Sequence, residues 1–138
     1  MTSQLNVDTI VDKAGSGGSN VKMANTSTYV SDGGNVTQNT VQGLAKHWSN
    51  FKMAATFVAN DSFNQSSLTD VGAGTAAPVF TNNMANTTYS DVAMTTEITT
   101  SGDLTNKTAA TYRIYGLNSS NAASDPTENC TIVVGDLA

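Results

Sequence analysis

The chain has 138 residues, enough for one domain with its own hydrophobic core. Charged residues make up only 12% of the chain and the net charge is −5. The six basic residues are scattered, so none of them forms a cluster that could follow a nucleic-acid backbone or hold an anionic membrane. The sequence therefore argues against nucleic-acid binding and against membrane insertion. These basic residues are Lys13, Lys22, Lys46, Lys52, Lys107 and Arg113.

The polar part of the composition is mostly uncharged, with 21 Thr, 14 Ser and 15 Asn. Threonine favours β-strands, whereas asparagine, serine and glycine favour turns. This pairing predicts an all-β protein. The single cysteine, Cys130, cannot form an internal disulfide, which favours synthesis in a reducing compartment.

The chain opens with a short patterned peptide followed by a glycine-rich stretch. Its longest apolar run is Ile10-Val11, too short for a signal peptide or a membrane span, so neither is expected. The stretch GSGGSN at 15–20 has the composition of a flexible linker. We therefore predict an anchor peptide at 1–14 and an extended linker or arm at 15–40, with "VKM" and "TYV" as short extended pieces.

Two interpretations are open where the arm ends. Val41, Leu44, Ala45 and Trp48 recur at helical spacing, which predicts a helix of about two turns. The segment AKHWSNF fits equally well as a β-strand that packs Trp48.

Several strand candidates separated by turn signals follow this segment. They predict a single antiparallel β-sandwich, jelly-roll-like, over residues 41–138. In TYSDVAMTTEITT, one continuous strand is expected to place Val92, Met94, Thr96 and Ile98 on one face, before a hairpin turn at 102–103. The run TIVV has apolar residues on both faces, and a second apolar face would suit contact with another subunit. The candidates are ATFVAND, SSLTDVGAG, APVFTN, TYSDVAMTTEITT, ATYRIYGL and CTIVVGDL.

The opening QLNVDTIVDKAGSGG is similar to the N-terminal segment of many tail-fibre and fibre-like structural proteins of marine bacteriophages. The resemblance continues through GLAKHWSNF, NDSFNQSSLTDVGAGTAAPVFTNNMANTTYSDVAM and ATYRIYGLNSSNAA, so it covers both ends and most of the chain. The chain departs from the family at 52–55, where relatives often have a glycine-rich turn. Its middle region is also much shorter than theirs.

This resemblance implies a virion structural protein: a short homotrimeric fibre or appendage that docks on another virion protein of the tail or capsid. Residues 3–14 would bind that protein as an added strand or in a groove. The expected anchor contacts are Leu5, Val7, Ile10 and Val11, and the expected hinge is Gly15, Gly17 and Gly18. Two alternatives are a capsid decoration or head-fibre protein and a receptor-binding adhesin that recognises a host surface glycan or protein.

Catalytic and metal-binding interpretations receive little support from the sequence. His47 is the only histidine and lies beside Trp48 in an apolar strip, which favours a packing or surface role. Asp61, Asp70 and Asp91 lack the spacing of a calcium loop, and one His with one Cys cannot complete a zinc site. Nothing brings the two glutamates, Glu97 and Glu128, together as a glycosidase pair. We therefore expect a protein that is not an enzyme and has no catalytic residues, no metal and no cofactor.

The aromatic side chains are expected to pack in the core or at a subunit interface, which is their common fate in strands. The candidates are Trp48, Phe51, Tyr112 and Tyr115, with Tyr89 as a further large side chain. A receptor site, if the protein has one, is expected in the variable loops at 60–75, 101–108 and 118–128.

Overall fold

The computed structural model describes residues 27–30, 37–101 and 105–138. These residues form ten β-strands and no helix, which confirms the all-β prediction. The described part of the chain accordingly has no helix long and apolar enough to cross a membrane. Two compact units are distinguished, Met1–Val41 and Gln42–Ala138.

The first unit contains a small antiparallel pair within the predicted arm. Strand β1 (Thr28–Val30) pairs with β2 (Thr37–Asn39). Thr40 closes the pair, since both its backbone N–H and its hydroxyl donate to the carbonyl of Ser27. The anchor residues Leu5, Val7, Ile10 and Val11 and the hinge glycines Gly15, Gly17 and Gly18 lie outside the described residues.

The second unit is a β-sandwich of two four-stranded antiparallel sheets, as predicted. The first sheet has the strand order β4-β3-β10-β7 and the second has the order β5-β6-β9-β8. The strands of the first sheet are β3 (Ala45–Lys52), β4 (Val58–Phe63), β7 (Ser90–Thr95) and β10 (Asn129–Val134). The strands of the second sheet are β5 (Gln65–Gly72), β6 (Thr75–Phe80), β8 (Ile98–Ser101) and β9 (Ile114–Leu117).

The segment that allowed two interpretations is a strand, and the helix alternative is wrong. Along β3, His47, Ser49 and Phe51 are buried while Trp48 and Lys52 are exposed. This period of two is that of a strand with one face in the core. The apparent helical spacing arose because it counted residues of the turn at 40–44 together with the strand.

The prediction of one continuous strand over TYSDVAMTTEITT is also wrong. The chain leaves the first sheet after Thr95 and enters the second at Ile98. The Thr95 hydroxyl accepts from the backbone N–H of Glu97 at 3.0 Å and donates to its carbonyl at 2.9 Å. Such local bonds give the backbone an alternative to the ladder, so the strand ends here. Ile98 therefore does not share a face with Val92 and Met94.

The loop predicted at 60–75 is mostly strand, because β4 and β5 occupy it. Asn64, with a φ of 57°, forms the corner between the two sheets. Asparagine tolerates this left-handed conformation well. Its side-chain amide also donates to the carbonyls of Lys46 and Asn82, which holds the corner in place. The turn predicted at 102–103 lies outside the described residues.

The core lies between the two sheets and is built around packed aromatic rings. The ring of Phe80 contacts those of His47, Tyr89 and Tyr112, with centroid distances of 5.2 to 5.7 Å. Burial of these side chains supplies the main driving force for packing the sheets together. The buried cluster comprises Phe51, Met53, Ala76, Phe80, Met84, Tyr89, Tyr112, Ile114 and Val133.

Candidate functional site

The first sheet has an exposed apolar side, which we call the outer face. Strand alternation produces it: in β10, Asn129, Thr131 and Val133 are buried, while the residues between them are exposed. The large side chains of this face are between 38% and 71% exposed. The outer face comprises Trp48, Phe63, Val92, Met94, Cys130, Ile132 and Val134.

Strand register places four of these side chains in one row across the whole sheet. Phe63 on β4 pairs with Trp48 on β3, which pairs with Ile132 on β10. Ile132 in turn pairs with Val92 on β7. Directly paired side chains on one face of a sheet lie about 5 Å apart. The row is therefore a continuous apolar stripe without a charged member.

A second row beside it combines a polar centre with two sulfur-bearing side chains. Asn50 on β3 pairs with Cys130, and Cys130 pairs with Met94. The Asn50 amide donates to the Cys130 sulfur at 3.1 Å and to a carboxylate oxygen of Glu128 at 3.0 Å. The cysteine is thus held in a defined position while its thiol remains exposed.

A shallow depression of about 170 Å³ lies at the β7 and β10 end of the outer face. Its lining residues are Met94, Thr95, Thr96, Glu128 and Cys130. The outer face is thus uneven: aromatic rings project at the β3 and β4 end, and a depression lined in part by sulfur lies at the other.

The extent of the outer face is large for a protein of this size. Aromatic side chains present about 150–250 Å² when fully exposed, and aliphatic ones present less. At the exposures observed, these side chains together present roughly 500 Å² of apolar surface. That value lies near the upper end for the largest patch on a soluble monomer, about 300–600 Å². Patches of this size commonly mark sites of interaction with other molecules.

The histidine that could have suggested catalysis is enclosed in the core. His47 has no exposed surface, and its Nδ1 lies 3.3 Å from the Tyr112 hydroxyl. That hydroxyl donates to the Thr131 hydroxyl oxygen at 2.7 Å. Burial lowers the pKa of His47 from 6.5 to about 4. Its role in this structure is therefore core packing as a neutral ring.

A buried ion pair joins Asp91 of β7 to Lys107, which lies outside the strands. The Lys107 ammonium lies 2.8 Å from a carboxylate oxygen of Asp91, and both side chains are more than nine-tenths buried. Lys107 also donates to the Tyr89 carbonyl and lies 3.9 Å from the centroid of the Tyr89 ring. Burial raises the pKa of the Tyr89 hydroxyl, which donates to the carbonyls of Thr108 and Thr111. This arrangement ties β7 to the segment before β9.

The other candidate residues are dispersed. Within the described ranges, no three His, Cys, Asp or Glu side chains converge on a metal-sized site. Asp61 and Asp70 are exposed on different strands, whereas Asp91 is paired with Lys107. Glu97 and Glu128 approach through the backbone, since the Thr96 N–H donates to the Glu128 carbonyl at 3.1 Å. Their side chains nevertheless line different depressions.

The predicted aromatic residues divide between core and surface. Phe51 and Tyr112 are fully buried, Tyr115 is half-buried on β9, and Trp48 is on the outer face. Part of the loop predicted as variable at 118–128 borders a depression of about 450 Å³, to which it contributes Asn118 and Ser119.

Sequence analysis missed two essential parts of the outer face. Phe63 lies in the polar run NDSFNQSS, which shows little apolar periodicity. The pairing of Phe63 with Trp48 also depends on register, which a single sequence does not reveal. The apolar residues of TIVV did indicate a second apolar side, and Ile132 and Val134 are the residues that form it.

Comparison with protein-family models, with curated proteins and with solved structures finds no match for this chain.

Proposed function

We propose that this chain is a structural component of a bacteriophage particle, a short homotrimeric fibre or appendage. Residues 3–14 attach it to another virion protein, and the β-sandwich projects from that attachment. The proposal is supported by the resemblance of its segments to fibre-like phage proteins and by the architecture of the sandwich. It assigns no catalytic role to any residue.

The outer face is the observation that carries the proposal. A stripe of exposed apolar side chains spans all four strands of the first sheet. Leaving such a surface in water is unfavourable, and covering it by another protein removes that cost. A structural protein that works as a multimer has this requirement, whereas a monomer would gain from polar residues at the same positions.

Trimerisation also explains how a short anchor peptide can hold the protein on a particle. One peptide of about twelve residues makes a small interface and dissociates readily. Three peptides on one assembly act together, since the second and third bind at a high effective concentration. The glycines at 15, 17 and 18 would give each peptide the freedom to reach its site.

The test compares particles assembled with the full chain and with a chain lacking residues 1–14. We expect the shortened protein to remain a folded trimer in solution but to be absent from purified particles. Cryo-electron microscopy of the complete particles should then show residues 3–14 bound to a tail or capsid protein. Normal incorporation of the shortened chain would contradict the anchor. Density on the shell, with loss of the protein making particles fragile, would favour the decoration alternative.

A further inference from the structure

We infer that the buried side chains of Lys107 and Asp91 condense into an amide bond within the chain, which links β7 covalently to the segment before β9. The Lys107 ammonium lies 2.8 Å from Oδ1 of Asp91, and each side chain is more than nine-tenths buried. Such a bond is a covalent modification that the folded chain makes by itself. It is independent of the proposed function, because it concerns a single chain and not its assembly.

Strand alternation places Asp91 on the inward side of β7, where a charge is unfavourable. Val92 and Met94 are exposed on the outer face, so Asp91 points to the opposite side. Asp91 also pairs directly with Val133, which has no exposed surface. A buried ion pair loses the hydration of both charges, and uncharged groups of similar volume are often more stable in its place. Condensation to an amide removes both charges from this site.

The second carboxylate oxygen of Asp91 is a separate observation that favours the amide over a lasting ion pair. In the part of the chain that the structure describes, this Oδ2 atom is buried and has no hydrogen-bond partner. A buried acceptor without a donor is costly, and more so when it carries charge. As the carbonyl oxygen of an amide, Oδ2 would be uncharged, so its burial would cost less.

The two groups can react without a co-reactant. One proton moves along the hydrogen bond from Nζ to Oδ1, which gives an amine and a carboxylic acid. The Nζ lone pair then attacks Cγ of Asp91, the N–C bond forms and the bond from Cγ to Oδ1 breaks. Oδ1 leaves as water with two of the three ammonium protons, while the third stays on the amide nitrogen. Nothing is oxidised or reduced.

The distance between the reacting atoms is short enough for this step. Cγ of Asp91 is bonded to Oδ1, so Nζ of Lys107 lies within about 4 Å of Cγ, near the separation of about 3–3.5 Å in a reacting pair. Because both side chains are fixed in the fold, the reaction is intramolecular and has the high effective concentration of such reactions.

The neighbouring Tyr89 suits the product as well as the ion pair. Nζ of Lys107 donates to the Tyr89 carbonyl, so the single N–H of the amide keeps an acceptor. The Tyr89 ring covers Nζ, with its centroid 3.9 Å away, and packs against Phe80 in the core. Exclusion of water from this site would protect the amide from hydrolysis, the reverse reaction.

The bond would join the two sheets of the sandwich. Asp91 is on β7 of the first sheet, whereas the segment that contains Lys107 is held to β6 of the second sheet by the bridge between Thr111 and Val79. The two linked residues are 16 positions apart. A cross-link that closes a loop of this size stabilises a fold mainly by restricting the unfolded chain. An amide also needs no oxidising compartment, unlike a disulfide.

Mass spectrometry of the purified chain, kept for several days at neutral pH, tests the bond directly. The intact mass should be about 18 Da, one water, below the value calculated from the sequence. Trypsin cuts after lysine and arginine, so a chain without the bond gives separate fragments 53–107 and 108–113. An amide on Lys107 blocks the cut between them. We therefore expect one fragment, 53–113, that is lighter by the same mass.

Two lysine-to-arginine variants provide the comparison. Lys107→Arg keeps a positive charge beside Asp91, but its guanidinium stays protonated and cannot attack the carboxyl group. It should have the full calculated mass and be cut after position 107. Lys52→Arg is the matched control at an exposed position of β3, and it should keep the mass loss and the fragment 53–113. In thermal unfolding, Lys107→Arg should melt about 10 °C or more below the wild type, and Lys52→Arg should not.

The wild-type mass decides the question even if Lys107→Arg fails to fold. A wild-type chain of full calculated mass that is cut after Lys107 would overturn the inference, since the two groups would then form an ion pair only. A mass loss that persists in Lys107→Arg would also overturn it, because cyclisation of an aspartate elsewhere removes the same mass. Neither result would affect the proposed function, which is tested on assembled particles.

Discussion

At the scale of single residues, His47 shows how the core tolerates an ionisable group. Its ring packs edge-on against Phe80 and Tyr112, and its Nδ1 faces the Tyr112 hydroxyl. Among residues 27–30, 37–101 and 105–138, no carboxylate forms an ion pair with this ring. The neutral imidazole therefore behaves as a polar aromatic ring, and protonation would place an unpaired charge in the core.

We predict that this histidine makes the fold sensitive to acid. The pKa of His47 falls from 6.5 to about 4 on folding because the ring is buried. Between these pH values the unfolded chain binds more protons than the folded one. The free energy of unfolding should therefore be highest above pH 6.5 and decrease towards pH 4, by no more than about 3 kcal/mol from this residue. Urea titrations at a series of pH values measure the effect.

The control for this prediction is His47→Gln, which keeps a polar side chain of similar size but cannot titrate. Its stability should change much less between pH 6.5 and pH 4 than that of the wild type, even if its overall stability is lower. An equally steep pH dependence in the variant would mean that other groups are responsible.

At the scale of the element, β10 contributes to both the core and the outer face. It is a central strand of the first sheet and pairs with both β3 and β7. Its inward residues contact the core, while Cys130, Ile132 and Val134 form part of the outer face. Adjacent residues on this strand should therefore affect different properties of the protein.

Two substitutions on β10 test this division. Val133→Ala removes methyl groups from a fully buried position and should lower the free energy of unfolding by about 2 kcal/mol. Ile132→Ala changes a side chain that is 45% exposed, so it should cost the isolated fold less than about 1 kcal/mol. It should instead weaken association. Denaturation at low protein concentration and light scattering at high concentration distinguish the two effects. Similar losses of stability in both variants would show that the outer face is needed for folding itself.

At the scale of the whole molecule, the net charge and the apolar outer face have opposite effects on association between copies. The whole chain has a net charge of −5, and the central stripe of the outer face has no charged member. Association through this face would be driven by apolar burial and opposed by weak mutual repulsion of the copies.

We therefore predict that added salt strengthens association. Raising NaCl from low ionic strength to about 0.5 M shortens the screening length and reduces the repulsion between like-charged copies. The dissociation constant should decrease modestly, as measured by sedimentation equilibrium at both salt concentrations. An increase would instead indicate that intermolecular ion pairs hold the copies together.

The amino-acid sequence by itself determined the fold class of this protein. Strand propensity and turn residues follow from composition. The second apolar side of β10 was visible in the run TIVV, because it has apolar residues on both faces of a strand. These features are local, so they can be recognised without knowing which segments are neighbours.

Only the tertiary structure decided how those segments combine. The end of β7 depends on hydrogen bonds that Thr95 makes with the turn, and the enclosure of His47 depends on rings from β6 and the segment before β9. The row from Phe63 to Val92 joins residues from four separate strands through register. A one-residue shift in register would turn each of these side chains to the opposite side of the sheet. The outer face therefore exists only once long-range pairing is fixed, because no single segment contains it.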